Sequence, residues 1–287
     1  MKRALAVLEV TLAFLLVHVG YRSFKRFTEL GRAEAEAGLN FSPGLAMIVF
    51  TVAAVLVRSR TFEEYGLTLK GWRFSLNLGL LWSAAFIVMA GVLDRFAGML
   101  IGAVPEPEIA RPIVATLIEL VSTLVLLWIL LRDRGVLERT HPGIALVFLA
   151  LLLPALALAA FHFERSIVGV LLAALWLFFG AGFGEEIFFR GYMQTRVDEA
   201  FGRPCRFMGA EFGWGLVVSS LFFGFIHVLN PVDYFASRFD FAWSKWPQYF
   251  AAGLFLGVLR ERTKSILAGG IIHGLTDVAG KLPELLH

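Results

Sequence analysis

Three short constellations in this sequence combine residue types and spacings that could do chemistry. The first is Gly184-Glu185-Glu186-Ile187-Phe188-Phe189-Arg190-Gly191. Glu186 and Arg190 are four apart and share one helix face, so they can pair and offset part of each other's desolvation. Glu185 projects about 100° away from Glu186 on a helix of 3.6 residues per turn, which leaves it free to face a cavity and serve there as a general base. Against this stands a helix-end charge cluster that snorkels to a membrane interface. The second is Leu221-Phe222-Phe223-Gly224-Phe225-Ile226-His227, with Asn230 just beyond. His227 lies in an apolar helix with Phe223 one turn earlier on its face; alone, such a histidine is more often a hydrogen-bonded bundle residue than a catalytic one. The third, Ile271-Ile272-His273-Gly274-Leu275-Thr276-Asp277, sets His273 and Asp277 at i and i+4 on one face. That spacing serves two-ligand metal chelation, a histidine oriented by a carboxylate, or a buried ion pair that ties helices together.

The elements that position these residues lie in lipid. Of 287 residues 58% are hydrophobic and only 17% charged, far from the balance of a water-soluble enzyme. Apolar runs near 20 residues mark nine candidate spans, at about 4–20, 41–57, 76–93, 113–131, 143–160, 167–189, 213–231, 247–259 and 265–282. The fold expected is an all-α, polytopic transmembrane helix bundle of about 8–9 spans, with N-terminal helices and interfacial segments over 1–160 and a catalytic helical core over 161–287. Lys2-Arg3 ahead of an apolar run resembles a signal peptide, but no small-x-small site follows before Tyr21-Arg22, so it reads as an uncleaved first span. The segments 21–30 and 65–73 mix aromatic and basic residues and read as lying along the headgroups or as solvated loops.

Net charge is only +3, and the basic residues sit in short connectors instead of forming a patch, which argues against nucleic acid as a partner. With nine spans, the excess of Lys and Arg puts the N-terminus and the loops near 190–212 and 260–264 in the cytoplasm. The single cysteine, Cys205, permits no intrachain disulfide. Lone polar residues in spans (Glu9, His18, Glu119) read as hydrogen-bonding to neighbouring helices, and His141, His162 and His287 as solvated. At 1.5 Å per residue Glu185 lies roughly 16 Å, His227 about 24 Å and His273 about 14 Å from helix ends near Arg196, Glu211 and Lys264. Similar depths predict one site, opening to the cytoplasm.

Glu185-Glu186-x-x-x-Arg190, Phe223-x-x-x-His227 and His273-x-x-x-Asp277, in this order on successive hydrophobic helices, resemble the type II CAAX prenyl endopeptidase and bacteriocin-processing (CPBP, or Abi) family of multi-pass intramembrane proteases. The likeness spans about 167 to 282, the C-terminal part of the chain. It implies hydrolysis of a peptide bond in a membrane-associated, prenylated or unmodified, peptide or protein. Glu185 would activate water with His227 as partner, Glu186 and Arg190 would shape the helix end, and His273 and residue 277 would complete an oxyanion hole or a metal site. Asp277 stands where many relatives carry Asn: an Asn amide donates to an oxyanion, whereas an ionised Asp only accepts. Asp277 is then protonated, orients His273, or joins Glu185, His227 and His273 as a zinc ligand, zinc being the one cofactor this reading allows. The competing functions are a proton-coupled transporter, against which no inverted repeat is found, and a non-catalytic scaffold or immunity protein of the same family. The expected location is the plasma (inner) membrane, with the bilayer and the substrate as partners; oligomeric state is left open.

Overall fold

The computed structural model describes residues 2–36, 41–101, 107–132, 166–207 and 210–281, and within 133–165 only positions 143, 147, 150, 154 and 161. Long runs of Leu, Ala, Val and Phe favour helix, and helix satisfies every backbone group inside a span. The helices are α1 (Lys2–Phe27), α2 (Glu29–Glu36), α3 (Phe41–Val57), α4 (Trp72–Ile101), α5 (Pro107–Arg132), α6 (Ile167–Phe201), α7 (Trp214–Val228), α8 (Trp246–Thr263) and α9 (Leu267–Gly280). Pro43 and Pro247 sit in first turns, where a missing N–H costs nothing. The strands among the described residues are a small antiparallel pair, β1 (Cys205–Phe207) and β2 (Ala210–Phe212).

The protein is thus an all-α, multi-pass bundle. Among the described residues four helices are long and apolar enough to cross a membrane: Lys2–Phe27, Trp72–Met99, Ile113–Leu130 and Ile167–Phe201. The apolar helices α3 and α7 are shorter. The other two expected spans in this part of the chain are shorter or charged: α9 has 14 residues and α8 ends on Arg260, Glu261 and Arg262. The candidate span at 143–160, together with His141, His162 and His287, lies outside the described residues. The segment 21–30 is not a loop: α1 runs through Phe27, and α2 follows after one residue.

Two cores flank the site. One joins α1, α3, α6 and α7 through Val10, Phe14, Met47, Phe188, Phe223 and Ile226; the other joins α4, α5, α8 and α9 through Leu78, Trp82, Leu130, Phe255, Leu259 and Ile272. Leu8, Leu12, Leu16, Val88, Val92 and Phe96 project outward, as lipid-facing residues do. Glycines set the closest approaches. A Cβ on Gly44 of α3 would fall 2.0 Å from the Gly180 carbonyl oxygen, and one on Gly182 would fall 2.5 Å from Gly274 Cα of α9. Small residues at these crossings bring α3 and α9 against the stretch of α6 that carries Glu185 and Glu186.

Candidate active site

Within α6, π-helical turns at Leu177–Phe183 and Ile187–Gln194 flank Gly184–Glu186. Such widened turns recur at functional sites because they re-aim side chains. The two adjacent carboxylates have different surroundings. Glu186 has no exposed surface; its Oε1 accepts from His273 Nδ1 at 3.1 Å and pairs with Arg190 Nη1 at 2.9 Å. Arg190 is equally buried, its guanidinium carbon 4.0 Å from the centre of the Phe223 ring, a desolvated cation–π contact. Glu185 instead lines a cavity of about 520 Å³ with Tyr21, Arg22, Arg26, Asn230 and Tyr234. Its Oε2 lies 3.8 Å from His273 Nε2 and has no hydrogen-bond partner among the described residues.

His273 is ringed by carboxylates: Glu186 at Nδ1, and Glu185 and Asp277 Oδ2 (3.6 Å) near Nε2. His227 is held by the Phe223 carbonyl, 2.8 Å from its Nδ1. A carbonyl only accepts, so Nδ1 carries the hydrogen and Nε2 of the neutral ring is left as an acceptor able to orient water. Phe223 is the hub of the cluster, edge-on to His227 (4.9 Å between centroids) and to His273 (5.5 Å). The structure therefore brings Glu185, Glu186, Arg190, His227, His273 and Asp277 into one neighbourhood drawn from α6, α7 and α9.

The motifs did not reveal what α1 contributes. Arg22 donates to the carbonyls of Leu229, Asn230 and Val232, closing the turn that follows His227. His18 is buried and bridges Tyr21 and Tyr234 through its two ring nitrogens, 3.1 Å to each hydroxyl. Asp233 accepts from the Ala236 and Phe235 N–H groups and from Arg238, and these bonds, Ala236 first, hold its carboxyl below the usual carboxylate range. Glu9, read as a hydrogen-bonding residue, pairs with Arg58, Arg196 and the Tyr192 hydroxyl. Tyr249, invisible to any motif, stacks on His227 with centroids 3.5 Å apart and planes 14° from parallel.

The cavity opens where α1 ends, beside the connector after α7. The start of α1 is at the other end, with Arg3 over the Phe201 ring. The cavity and the N-terminus thus lie toward opposite ends of α1. Counting depth from helix ends located the residues but said nothing of which end is open. A second cavity of about 540 Å³ adjoins through Tyr21; it is walled by Phe24, Leu30, Phe41, Leu45 and Val49 and is almost wholly apolar.

The zinc reading was tested on the donor set. Among the described residues no three His, Cys, Asp or Glu side chains are arranged to hold a metal ion. His273 Nδ1 is bound to Glu186, and its Nε2 faces Glu185 and Asp277 at 3.8 and 3.6 Å. The steps below use the side chains alone.

The fold and cluster define a class, a helical membrane protein with a buried acid–base centre. Residues 167–279, the stretch that carries all three motifs, match the family model described as type II CAAX prenyl endopeptidase Rce1-like. No curated protein matches this chain, and no solved structure does.

Proposed function

We propose that this protein is an intramembrane endopeptidase in which Glu185 activates water for attack on a scissile carbonyl. The observation that carries the proposal is the division of labour between neighbouring carboxylates: each has an Oε2 without a hydrogen-bond partner among the described residues, but Glu186 is paired with Arg190 and bonded to His273 through Oε1, whereas Glu185 has a cavity in front of it. Water held between Glu185 and His227 Nε2 would give a proton to Glu185 as its oxygen attacks, and Glu185 would return that proton to the leaving amine. His273, fixed by Glu186 and flanked by Asp277, orients the Glu185 carboxylate. The adjoining apolar chamber favours a substrate that bears a hydrocarbon chain, such as a prenylated peptide or protein tail entering from the bilayer.

An opening toward the cytoplasm, in an inner membrane, goes with an N-terminus on the far side, because the cavity and the N-terminus lie toward opposite ends of α1. The test of the function is cleavage of matched farnesylated and unmodified peptides by purified protein, with and without phenanthroline. The expected result is preferential cleavage of the lipidated set that survives the chelator. Loss of cleavage on chelation, restored by zinc, would overturn the glutamate-only mechanism. Proton-coupled flux in proteoliposomes without hydrolysis would favour the transporter.

A further inference from the structure

The connector between α7 and α8, residues 229–245, is ordered yet turns its largest apolar side chains outward. Phe235, Phe239, Phe241 and Trp243 are between 40% and 57% exposed, and a patch of that kind marks a surface that meets something other than water. Hydrogen bonds hold it in this shape. Asp233 and Arg238 exchange both backbone bonds, the Asp233 carboxylate accepts from the N–H groups of Phe235 and Ala236, and the Ala242 N–H closes the base on the Val228 carbonyl. The connector at the other end of α7, β1–β2, exposes instead the ion pair Arg206–Glu211, as a water-facing turn does. Two ring contacts join the patch to lipid-facing helix surface. Phe235 meets Phe27 of α1 edge-on, with centroids 4.9 Å apart, and Trp243 meets the exposed Phe225 of α7 at 6.1 Å. Phe27 ends the helix whose outward row is Leu5, Leu8, Leu12, Leu16 and Val19. At 1.5 Å per residue Leu5 and Phe27 are about 33 Å apart, close to the roughly 30 Å of hydrocarbon in a bilayer. Phe27 therefore falls at the headgroup boundary, with Arg22, Lys25 and Arg26 in the turns just before it. Aromatic rings beside basic residues at the end of a span are the signature of that boundary.

We propose that this connector is a membrane-interface anchor, with the rings of Phe239, Phe241 and Trp243 seated among the headgroups and upper acyl chains of a phospholipid bilayer. The same connector carries Asn230, Asp233 and Tyr234, which line the Glu185 cavity, so the anchor holds the mouth of that cavity at the bilayer surface. A ligand with a hydrocarbon chain then reaches Glu185 from within the leaflet. The assignment goes beyond the endopeptidase reading and is independent of it: it fixes where the cavity opens, whether or not Glu185 activates water.

The test uses the full chain in a Cys205→Ser background, with Phe239→Cys or Trp243→Cys labelled by a polarity-sensitive fluorophore and reconstituted in vesicles of phosphatidylcholine and phosphatidylglycerol. Arg206→Cys supplies the water-facing reference. A nitroxide near the headgroup end of the acyl chain should quench both labels at least about twofold more than one at the chain terminus, as burial about 5–10 Å into the boundary requires. Iodide present on both sides of the membrane should quench them at least about twofold less than it quenches the Arg206→Cys label. Iodide quenching equal to the reference, or stronger quenching from the chain terminus, would overturn the anchor. Labels shielded from both iodide and nitroxide would mean that protein, such as a second copy of this chain, covers the face, and would overturn it too. The two positions report independently, so one variant that fails to reconstitute leaves the other decisive.

Discussion

Arg190→Met removes the guanidinium paired with Glu186 while keeping an unbranched stem near the Phe223 ring. The side chains of Arg190 and Glu186 are 0% and 1% exposed, 2.9 Å apart, and inside a helix that reads as a membrane span. Breaking such a pair by removing one partner costs about 3–5 kcal/mol, because a buried charge is left uncompensated. Loss of the guanidinium over Phe223 at 4.0 Å adds about 2 kcal/mol, while the bond from His273 to Glu186 gives part of this back. A net loss of at least about 3 kcal/mol is therefore expected, a shift of about a hundredfold or more in the folding equilibrium. Reversible unfolding of purified protein by SDS in mixed micelles reads this as a lower midpoint. The double variant Glu186→Gln with Arg190→Met leaves no buried charge at the pair and should recover at least half of the loss, a coupling of about 2 kcal/mol. An Arg190→Met protein within about 0.5 kcal/mol of wild type would behave like a surface substitution and would refute the reasoning.

Two further outcomes follow from the packing and from the opening. A Cβ on Gly274 would lie 2.7 Å from the Phe178 carbonyl oxygen of α6, so Gly274→Ala should push α9 away, lengthen the 3.1 Å contact between His273 and Glu186, and lower kcat/KM by at least about tenfold; an unchanged rate would mean that the α6–α9 crossing does not set the site. In a Cys205→Ser background, single cysteines at Arg3 and at Phe235 should react with a membrane-impermeant maleimide from opposite sides of sealed vesicles, since Phe235 lines the mouth and Arg3 lies at the far end, whereas labelling from one side would contradict the placement of the opening.

The site was more legible in the sequence than the scaffold. Glu186 and Arg190 pair because an i, i+4 relation is a local property, and the i, i+4 positions of His273 and Asp277 hold for the same reason. What escaped notice is non-local. Arg22 reaches carbonyls more than two hundred positions away, and Tyr249 stands on His227 from another helix, relations that no spacing encodes. Two signals were present but unread: Tyr21 and Arg22 in an α1 tail whose register continues the helix, and glycines at 44, 180, 182 and 274 that mark close crossings. Apolar windows gave helix positions, whereas span number depends also on the length of helix available to cross, which a window of hydropathy does not measure. The side on which the site opens depends on which helix ends surround the cavity, which depth arithmetic leaves out.

The central claim is that Glu185 is the base and Glu186 its structural neighbour. Cleavage of a farnesylated peptide by wild type, Glu185→Gln and Glu185→Asp, each with its unfolding midpoint measured in parallel, tests it most directly. The account predicts that Glu185→Gln unfolds at the wild-type midpoint and cleaves nothing, and that Glu185→Asp, with its carboxylate drawn back by one methylene, cleaves slowly. Cleavage by Glu185→Gln at the wild-type rate would contradict it.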